Sequence, residues 1–413
     1  MKSKLLIALF PILVAGCAGQ DMTEPDVHPK GSASVSCANK ALESAMNEAE
    51  KLKIEIYGES TRSNAKFASI EPVVMMSTRS SENDTIYIVN YGDDEGFSVV
   101  TTAPGLESVH AVSNQGSLHI SDTINNKGLA AFFSNLNYEL NANSAIARPT
   151  LPDSTLQPEM PLVRNYRISH KQPMLTPVVR SWHQDYPFNM YCPKIGGENT
   201  KVGCLALSTS QILSYFEYPK IVGGMAIDWA VVKSENTNMT YNLLRIIGSK
   251  QYWNLSYGLN ISNNFEFDPY TGENNVIKTF QKLGYTLDNR KRFSDSHPML
   301  DMDKGPLFVI SLTENDYYAG RHAWVMDGYH SVYYETKVVG DSDPLGREWL
   351  PHSYVLYHCL WGEKQKQDGY YRWNSEKGYI GGDKPDLTDK DDRPGEGVKL
   401  YGVYYYSNFV KSN

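Results

Sequence analysis

The chain has 413 residues, of which 41% are hydrophobic, enough apolar material for two packed domains rather than one. A formal net charge of -8, with no cluster of Lys and Arg, excludes the class of nucleic-acid-binding proteins. Twenty-eight tyrosines favour strand-rich structure. No Gly-rich phosphate loop, HExxH helix or acidic calcium loop occurs, so no nucleotide or metal cofactor is expected.

The first residues are typical of a bacterial lipoprotein signal. Lys2 and Lys4 precede an apolar run too short to span a bilayer, and Val14-Ala15-Gly16 comes directly before Cys17. We predict a signal peptide over residues 1–16, a lipid on Cys17 and a flexible polar tether over 17–35. The protein would be exported and held at the outer membrane or cell surface, with the membrane contacted only through that lipid. The alternative is an ordinary secretory signal with a chance cysteine.

A small α+β domain is predicted over residues 36–150. Apolar side chains at three- and four-residue spacing over 36–56 predict an amphipathic helix. The β-rich runs 85–91 and 96–101 are separated by Gly92-Asp93-Asp94-Glu95, which predicts a hairpin.

The chain becomes proline-rich and irregular between about 145 and 175, with the basic residues Arg164, Arg167 and Lys171. A segment without regular structure is where proteolytic nicking is easiest. We therefore predict an activation linker over 151–172 and a second domain over 173–413.

Cys204 begins an apolar run with helical spacing. Gly203 precedes it and Pro219 lies beyond its end, so Cys204 is expected at a helix N-terminus. The helix dipole and free backbone N–H groups there stabilise a thiolate, which predicts a lowered pKa and a nucleophilic sulfur. The alternative is a small core residue.

His322 lies far downstream, near the start of an alternating β-rich run that follows the apolar strand 307–311. A helix-start cysteine facing a histidine on a strand of a second subdomain is the arrangement of papain-like peptidases. A buried histidine without a catalytic role is the alternative.

Four motifs in order resemble the streptopain family of cysteine peptidases. They are Trp182-x-Gln184-x-x-Pro187-Phe188-Asn189, Gly203-Cys204 with Gln211-Ile212-Leu213, His322-Ala323 with Asp327-Gly328, and Trp361-Gly362 with Asp368-Gly369-Tyr370-Tyr371. The resemblance covers about 173–413, and the N-terminal domain is similar to the family's inhibitory propeptide. It implies an α+β fold, in which a small α+β prodomain precedes a papain-like two-subdomain body with a helical half and an antiparallel β half.

The resemblance also implies roles for four residues. Cys204 would attack the scissile carbonyl and His322 would take and return the proton, while Gln184 donates to the oxyanion and Trp361 flanks the imidazole. Gln184 as a loop amide and Trp361 as core packing remain alternatives.

The chain departs from the family pattern at several positions. Leu360 stands where the family has an asparagine that orients the histidine, so a backbone carbonyl, water or another side chain must do so. The loop 363–367 is charged where relatives have Trp and Gly, and the Gly-rich stretch 381–397 is acidic. We expect Asp327 to end a strand rather than orient the base. Cys192 and Cys359 are expected to be free or packed thiols.

These observations predict the lipid-anchored zymogen of a cysteine endopeptidase that acts on protein or peptide substrates through a thioester, with its prodomain as an intramolecular inhibitor. One alternative is an inactive surface binding lipoprotein on a peptidase scaffold, which Leu360 supports. A related thiol amidohydrolase or transpeptidase shares the same chemistry and differs only in the acceptor.

Overall fold

The computed structural model describes residues 32–58, 67–73, 85–103, 106–145, 163–255, 274–293, 297–313, 322–337, 349–364, 366–373 and 401–412. The predicted signal peptide with Cys17, the linker segment 151–162 and the acidic stretch 381–397 lie outside these ranges. Within them, no helix has the length and apolar character needed to cross a membrane.

The N-terminal region places two helices on a four-stranded antiparallel sheet. Its elements are α1 (Ser32–Tyr57), β1 (Phe67–Val73), β2 (Ile86–Tyr91), β3 (Phe97–Thr101), β4 (Val109–Ser113) and α2 (Lys127–Ala145). The predicted amphipathic helix and hairpin are both confirmed. Helix α1 buries Ala45, Ala49 and Leu52 on one face, where they pack against Val89 and Val100 of the sheet.

The predicted irregular linker is wrong for its second half, where residues form strand β5 (Val163–Lys171). This strand pairs antiparallel with β13 (His322–Lys337) over Val163–Lys171. The basic residues expected in an open linker have partners, since Arg164 lies 2.6 Å from Glu335 and Lys171 donates to the Met302 carbonyl at 2.7 Å. The pairing with β13 and these side-chain contacts hold in place a segment that the neighbouring prolines had indicated to be a loop.

The next part of the chain is mainly helical. It contains α3 (Pro177–Arg180), β6 (Lys194–Ile195), β7 (Glu198–Asn199), α4 (Cys204–Phe216), β8 (Ile221–Val222), β9 (Met225–Ala226), α5 (Trp229–Ser234), α6 (Asn238–Gly248) and α7 (Asn275–Lys282). Helix α4 is at its centre, with Leu205, Ile212 and Leu213 inside one hydrophobic cluster. That cluster also takes in Phe308 and Val325 of the sheet, so α4 is packed directly on the strands.

The remaining elements form the β half. They are β10 (Tyr285–Thr286), β11 (Lys291–Arg292), α8 (Pro298–Asp301), β12 (Leu307–Thr313), β13 (His322–Lys337), β14 (Trp349–Leu360), β15 (Gly369–Arg372), β16 (Tyr401–Tyr406) and β17 (Val410–Lys411). The main sheet has the order β1-β2-β3-β4-β15-β14-β13-β12-β16-β11, with β5 also on β13. The predicted α+β fold with a helical half and an antiparallel β half is confirmed.

One sheet runs through both the N-terminal region and the β half. Strand β4 pairs with β15 through Val112 opposite Tyr370 and Ala111 opposite Tyr371. This pairing could not be predicted from the sequence, because strand patterns predict which face is buried and not which edge a strand joins.

Candidate active site

Cys204 is the first residue of helix α4, as predicted. Gly203 caps the helix with φ 92° and ψ 130°, a backbone conformation that L side chains rarely adopt. This backbone conformation turns the chain into the helix and leaves the Cys204 sulfur beside the first turn. The backbone N–H groups of Cys204 and Leu205 both act on that sulfur and favour its thiolate.

His322 is the first residue of β13, and the structure brings it to Cys204. The backbone of Ala323, the next residue along β13, hydrogen-bonds to the Cys204 sulfur. His322 is buried and pairs with Ser311 of β12, which fixes the start of its strand. The helix-start cysteine and the strand-start histidine therefore meet at the contact between the two halves.

A backbone carbonyl orients the imidazole. His322 Nε2 lies 2.9 Å from the carbonyl oxygen of Trp361. A carbonyl can only accept, so Nε2 carries the proton and Nδ1 is the nitrogen with a free lone pair. Leu360 is buried in the hydrophobic cluster beneath helix α4, and Trp361 does through its backbone what the missing asparagine would do through its side chain.

The predicted low pKa of Cys204 is wrong for this state of the molecule. Burial raises the pKa of the Cys204 thiol to about 11 and outweighs the backbone N–H groups. Burial likewise lowers the pKa of His322 to about 4, against the opposite effect of the Trp361 carbonyl. Near neutral pH the site therefore holds a thiol and a neutral imidazole, not an ion pair.

The tip of helix α2 lies against His322 and Trp361. A Cβ on Gly128 would be 2.2 Å from Cε3 of Trp361 and 3.1 Å from Cδ2 of His322, so only glycine allows this approach. Next to it, Asn126 donates to the side-chain oxygen of Gln367 at 3.1 Å. The N-terminal region thus reaches the site with a helix end. No feature of the sequence singled out Gly128.

Gln184 also lies at the site, on a loop whose backbone is hydrogen-bonded to Gly362 and Val202. Its backbone N–H donates to Gly362 at 3.1 Å, and its carbonyl accepts from Val202 at 3.0 Å. Its side-chain amide donates to the Glu363 carboxylate at 2.8 Å. Of the residues predicted for the site, Cys204, His322, Gln184 and Trp361 therefore lie together. The sequence shows that Glu363 is charged, but its contact with Gln184 could not be predicted from it.

Trp361 lies at the site in a different way from the one predicted. The indole that stacks on the His322 ring is that of Trp324, with centroids 6.1 Å apart. Trp361 packs against Trp324 and under Gly128. Its backbone N–H donates to the buried carboxylate of Asp368 at 2.8 Å, which fixes the peptide whose carbonyl holds His322. Burial raises the pKa of Asp368 to about 7.

Asp327 does not end a strand as predicted, because it lies inside β13 at a shift in the register with β14. Its carboxylate contacts Nδ1 of His358 at 2.6 Å and accepts from the backbone N–H of Leu175 at 3.0 Å. Asp327 therefore anchors the chain just after β5.

Cys192 and Cys359 are buried free thiols, as expected. Among the described residues no group of His, Cys, Asp and Glu could hold a metal ion.

Comparisons with known proteins show what this chain is similar to. The model of the peptidase C10 family matches residues 182–255, which include Gln184 and Cys204. Streptopain from Streptococcus pyogenes is 23% identical over 356 residues, covering 75% of this chain and 78% of that protein. A solved fragment of prointerpain A from Prevotella intermedia is 16% identical, with a TM-score of 0.44 over 81% of this chain and 98% of that one. The family match over residues 182–255 and the relationship to streptopain make this chain similar to the streptopain family of cysteine peptidases.

Proposed function

We propose that this protein is the zymogen of a cysteine endopeptidase, with Cys204 as nucleophile and His322 as general base and acid. The observation that carries the proposal is the hydrogen bond from His322 Nε2 to the Trp361 carbonyl, beside the start of helix α4. It leaves Nδ1 unprotonated and able to take the thiol proton. It also removes the main support for an inactive scaffold, because Leu360 no longer implies an unoriented histidine.

The proposed reaction passes through a thioester. The Cys204 sulfur attacks the peptide carbonyl as its proton moves to Nδ1 of His322, and the backbone N–H of Cys204 and the Gln184 amide donate to the oxyanion. The imidazolium then protonates the leaving amine. Water, deprotonated by His322, attacks the thioester, and the thiol leaves with its proton restored. No cofactor is required.

The N-terminal region supports the inhibitory half of the proposal. Gly128 occupies space against Trp361 and His322, and Cys204 and His322 are both buried and held neutral in the uncut chain. Activation would require this region to leave after cleavage of the chain. Strand β5 is held by a ladder to β13, so we expect the cut on the N-terminal side of Val163, within the predicted linker.

The first experiment is incubation of purified protein lacking residues 1–17 at several concentrations. We expect a cut before Val163, followed by hydrolysis of a casein substrate and labelling of Cys204 by an epoxide inactivator of cysteine peptidases. Cys204→Ala should remain uncut and inactive. Cys359→Ala, which removes a buried thiol away from His322, is the matched control and should mature normally. Identical processing of Cys204→Ala would assign maturation to another protease, and a cut but inactive protein would contradict the peptidase proposal.

We also propose that the protein is exported as a lipoprotein anchored through Cys17. The support is the sequence of residues 1–17 alone. Cells supplied with a labelled fatty acid should incorporate the label into the intact protein and not into Cys17→Ala. Labelling of both proteins would contradict the anchor.

A further inference from the structure

Glu363 is a buried carboxylate beside the Gln184 amide. Its side chain is only 5% exposed, and its two oxygens have different partners. One accepts from Gln184 Nε2 at 2.8 Å, and the other lies 3.2 Å from Lys201 Nζ. A buried carboxylate is costly unless it is paired in this way. The loop that carries Glu363 is one of the places where this chain departs from the streptopain pattern.

The contacts leave Gln184 almost no freedom. Both of its backbone groups are bonded, to Gly362 on one side and Val202 on the other. The side chain is buried, and its terminal amide can still present either its oxygen or its nitrogen. A carboxylate only accepts, so Glu363 selects the orientation with nitrogen toward it. The second hydrogen of that nitrogen stays available for another acceptor.

Lys201 decides whether this arrangement is compatible with catalysis. An isolated carboxylate would oppose negative charge on a nearby sulfur or oxyanion, and Glu363 contributes to the raised pKa of Cys204. Lys201 lies three positions before Cys204 in the sequence, contacts Glu363 directly and lies 3.9 Å from Asp185. Its ammonium offsets the carboxylate charge while the hydrogen bond to Gln184 is kept.

We propose that Glu363, ion-paired with Lys201, is a positioning residue that fixes the Gln184 amide as oxyanion donor. The inference rests on the proposed peptidase function. Glu363 makes no contact with substrate in this role and acts through Gln184. The consequence is a specific energetic coupling: removing Glu363 should lower kcat only while Gln184 is present.

A double-mutant cycle on the matured protein tests this coupling. Gln184→Ala should lower kcat by about 10²–10³. Glu363→Ala should lower kcat by about 10-fold or more with KM within about twofold, because misplacing a donor affects the transition state more than substrate binding. The double variant should match Gln184→Ala alone. Glu217→Gln breaks the exposed pair with Lys233 at the far end of α4 and is the control for loss of an ion pair.

Two further measurements separate positioning from simple packing. Glu363→Gln keeps an acceptor for Gln184 Nε2, so it should rescue most of the kcat lost in Glu363→Ala. It also removes a negative charge near the sulfur, so alkylation of Cys204 should begin at lower pH than in wild type. Affinity for a peptide aldehyde, which forms a hemithioacetal at the sulfur, should follow the same order as kcat.

Each contrary outcome has a distinct meaning. Additive losses in the cycle, or faster turnover in Glu363→Ala, would overturn the positioning role while leaving an active wild type and the peptidase function intact. A matured wild type that neither cleaves peptides nor binds the aldehyde would overturn the proposed function, and the role of Glu363 with it.

Discussion

Two of the contacts between the N-terminal region and the β half differ in kind. At the sheet edge, β4 pairs with β15 through only two residue pairs, and Ser113 donates to the Asp368 carbonyl at 2.7 Å. At the tip of α2, Gly128 lies against His322 and Trp361. The edge is a general means of attachment, since any strand of suitable register could join it. The tip is specific, because one added carbon atom would not fit.

The two contacts therefore differ in role: the sheet edge attaches the N-terminal region, and the tip of α2 would block the site. A hydrophobic cluster that includes residues of the N-terminal region and of the β half supports the attachment. In it, Phe132 and Leu129 of α2 pack among Trp324 and Trp373. At the tip, Gly128 lies against His322, which burial holds neutral together with Cys204. A change at the tip should therefore unblock the site while the attachment persists, and a change at the edge should weaken both together.

The largest effect is expected for Gly128→Leu. Its side chain cannot occupy the space taken by Trp361, and overpacking of this kind costs about 1–3 kcal/mol. We expect Cys204 in the uncut chain to react with iodoacetamide about 10- to 100-fold faster than in wild type, since that cost shifts the tip toward an open position.

The matched control for this change is Ala130→Leu, on the partly exposed part of the same helix. Cys192 and Cys359, both buried, should stay unreacted in every variant and so report general unfolding. Unchanged labelling of Cys204 in Gly128→Leu would mean that the tip does not limit access to the site.

A second prediction concerns the pH dependence of the thiol. With a pKa of about 11, Cys204 of the uncut chain is almost entirely protonated at neutral pH, and its alkylation should rise until about that pH. Burial is the largest cause of this raised pKa, so removal of the N-terminal region should move the alkylation profile to lower pH. Mass spectrometry of Cys204 peptides from cut and uncut protein gives both profiles. Coincident profiles would show that the N-terminal region is not what buries the sulfur.

The positions of Cys204 and His322 in the fold were predictable because each has a local determinant. Gly203 before an apolar helical run places Cys204 at a helix start, and an alternating run places His322 at a strand start. The Trp361 carbonyl could be named only as one of several options, because every residue has a carbonyl and sequence does not say where it points. Glu363 and Gly128 act on residues distant in the chain, and no periodicity reports such contacts.

Strand β5 and the pKa of Cys204 show why the other predictions failed. The pairing of β5 with β13 is a tertiary effect that overrides the local indication of loop from its neighbouring prolines. The helix N-terminus does favour the thiolate as predicted, but desolvation by the rest of the fold has the larger effect. The local sequence predicted the direction in which the helix N-terminus shifts the pKa of Cys204. It contained no information on the shift that burial causes.

The smallest effect is expected at the sheet edge, for Ser113→Ala. The variant loses the hydrogen bond from its hydroxyl to the Asp368 carbonyl, worth about 1 kcal/mol. If opening of the edge exposes the site, labelling of Cys204 in the uncut chain should rise about fivefold. Ser98→Ala is the matched control, since it loses a buried hydrogen bond to Tyr91 within the N-terminal region. Equal labelling of the two variants would mean that general loss of stability, not release of the edge, exposes Cys204.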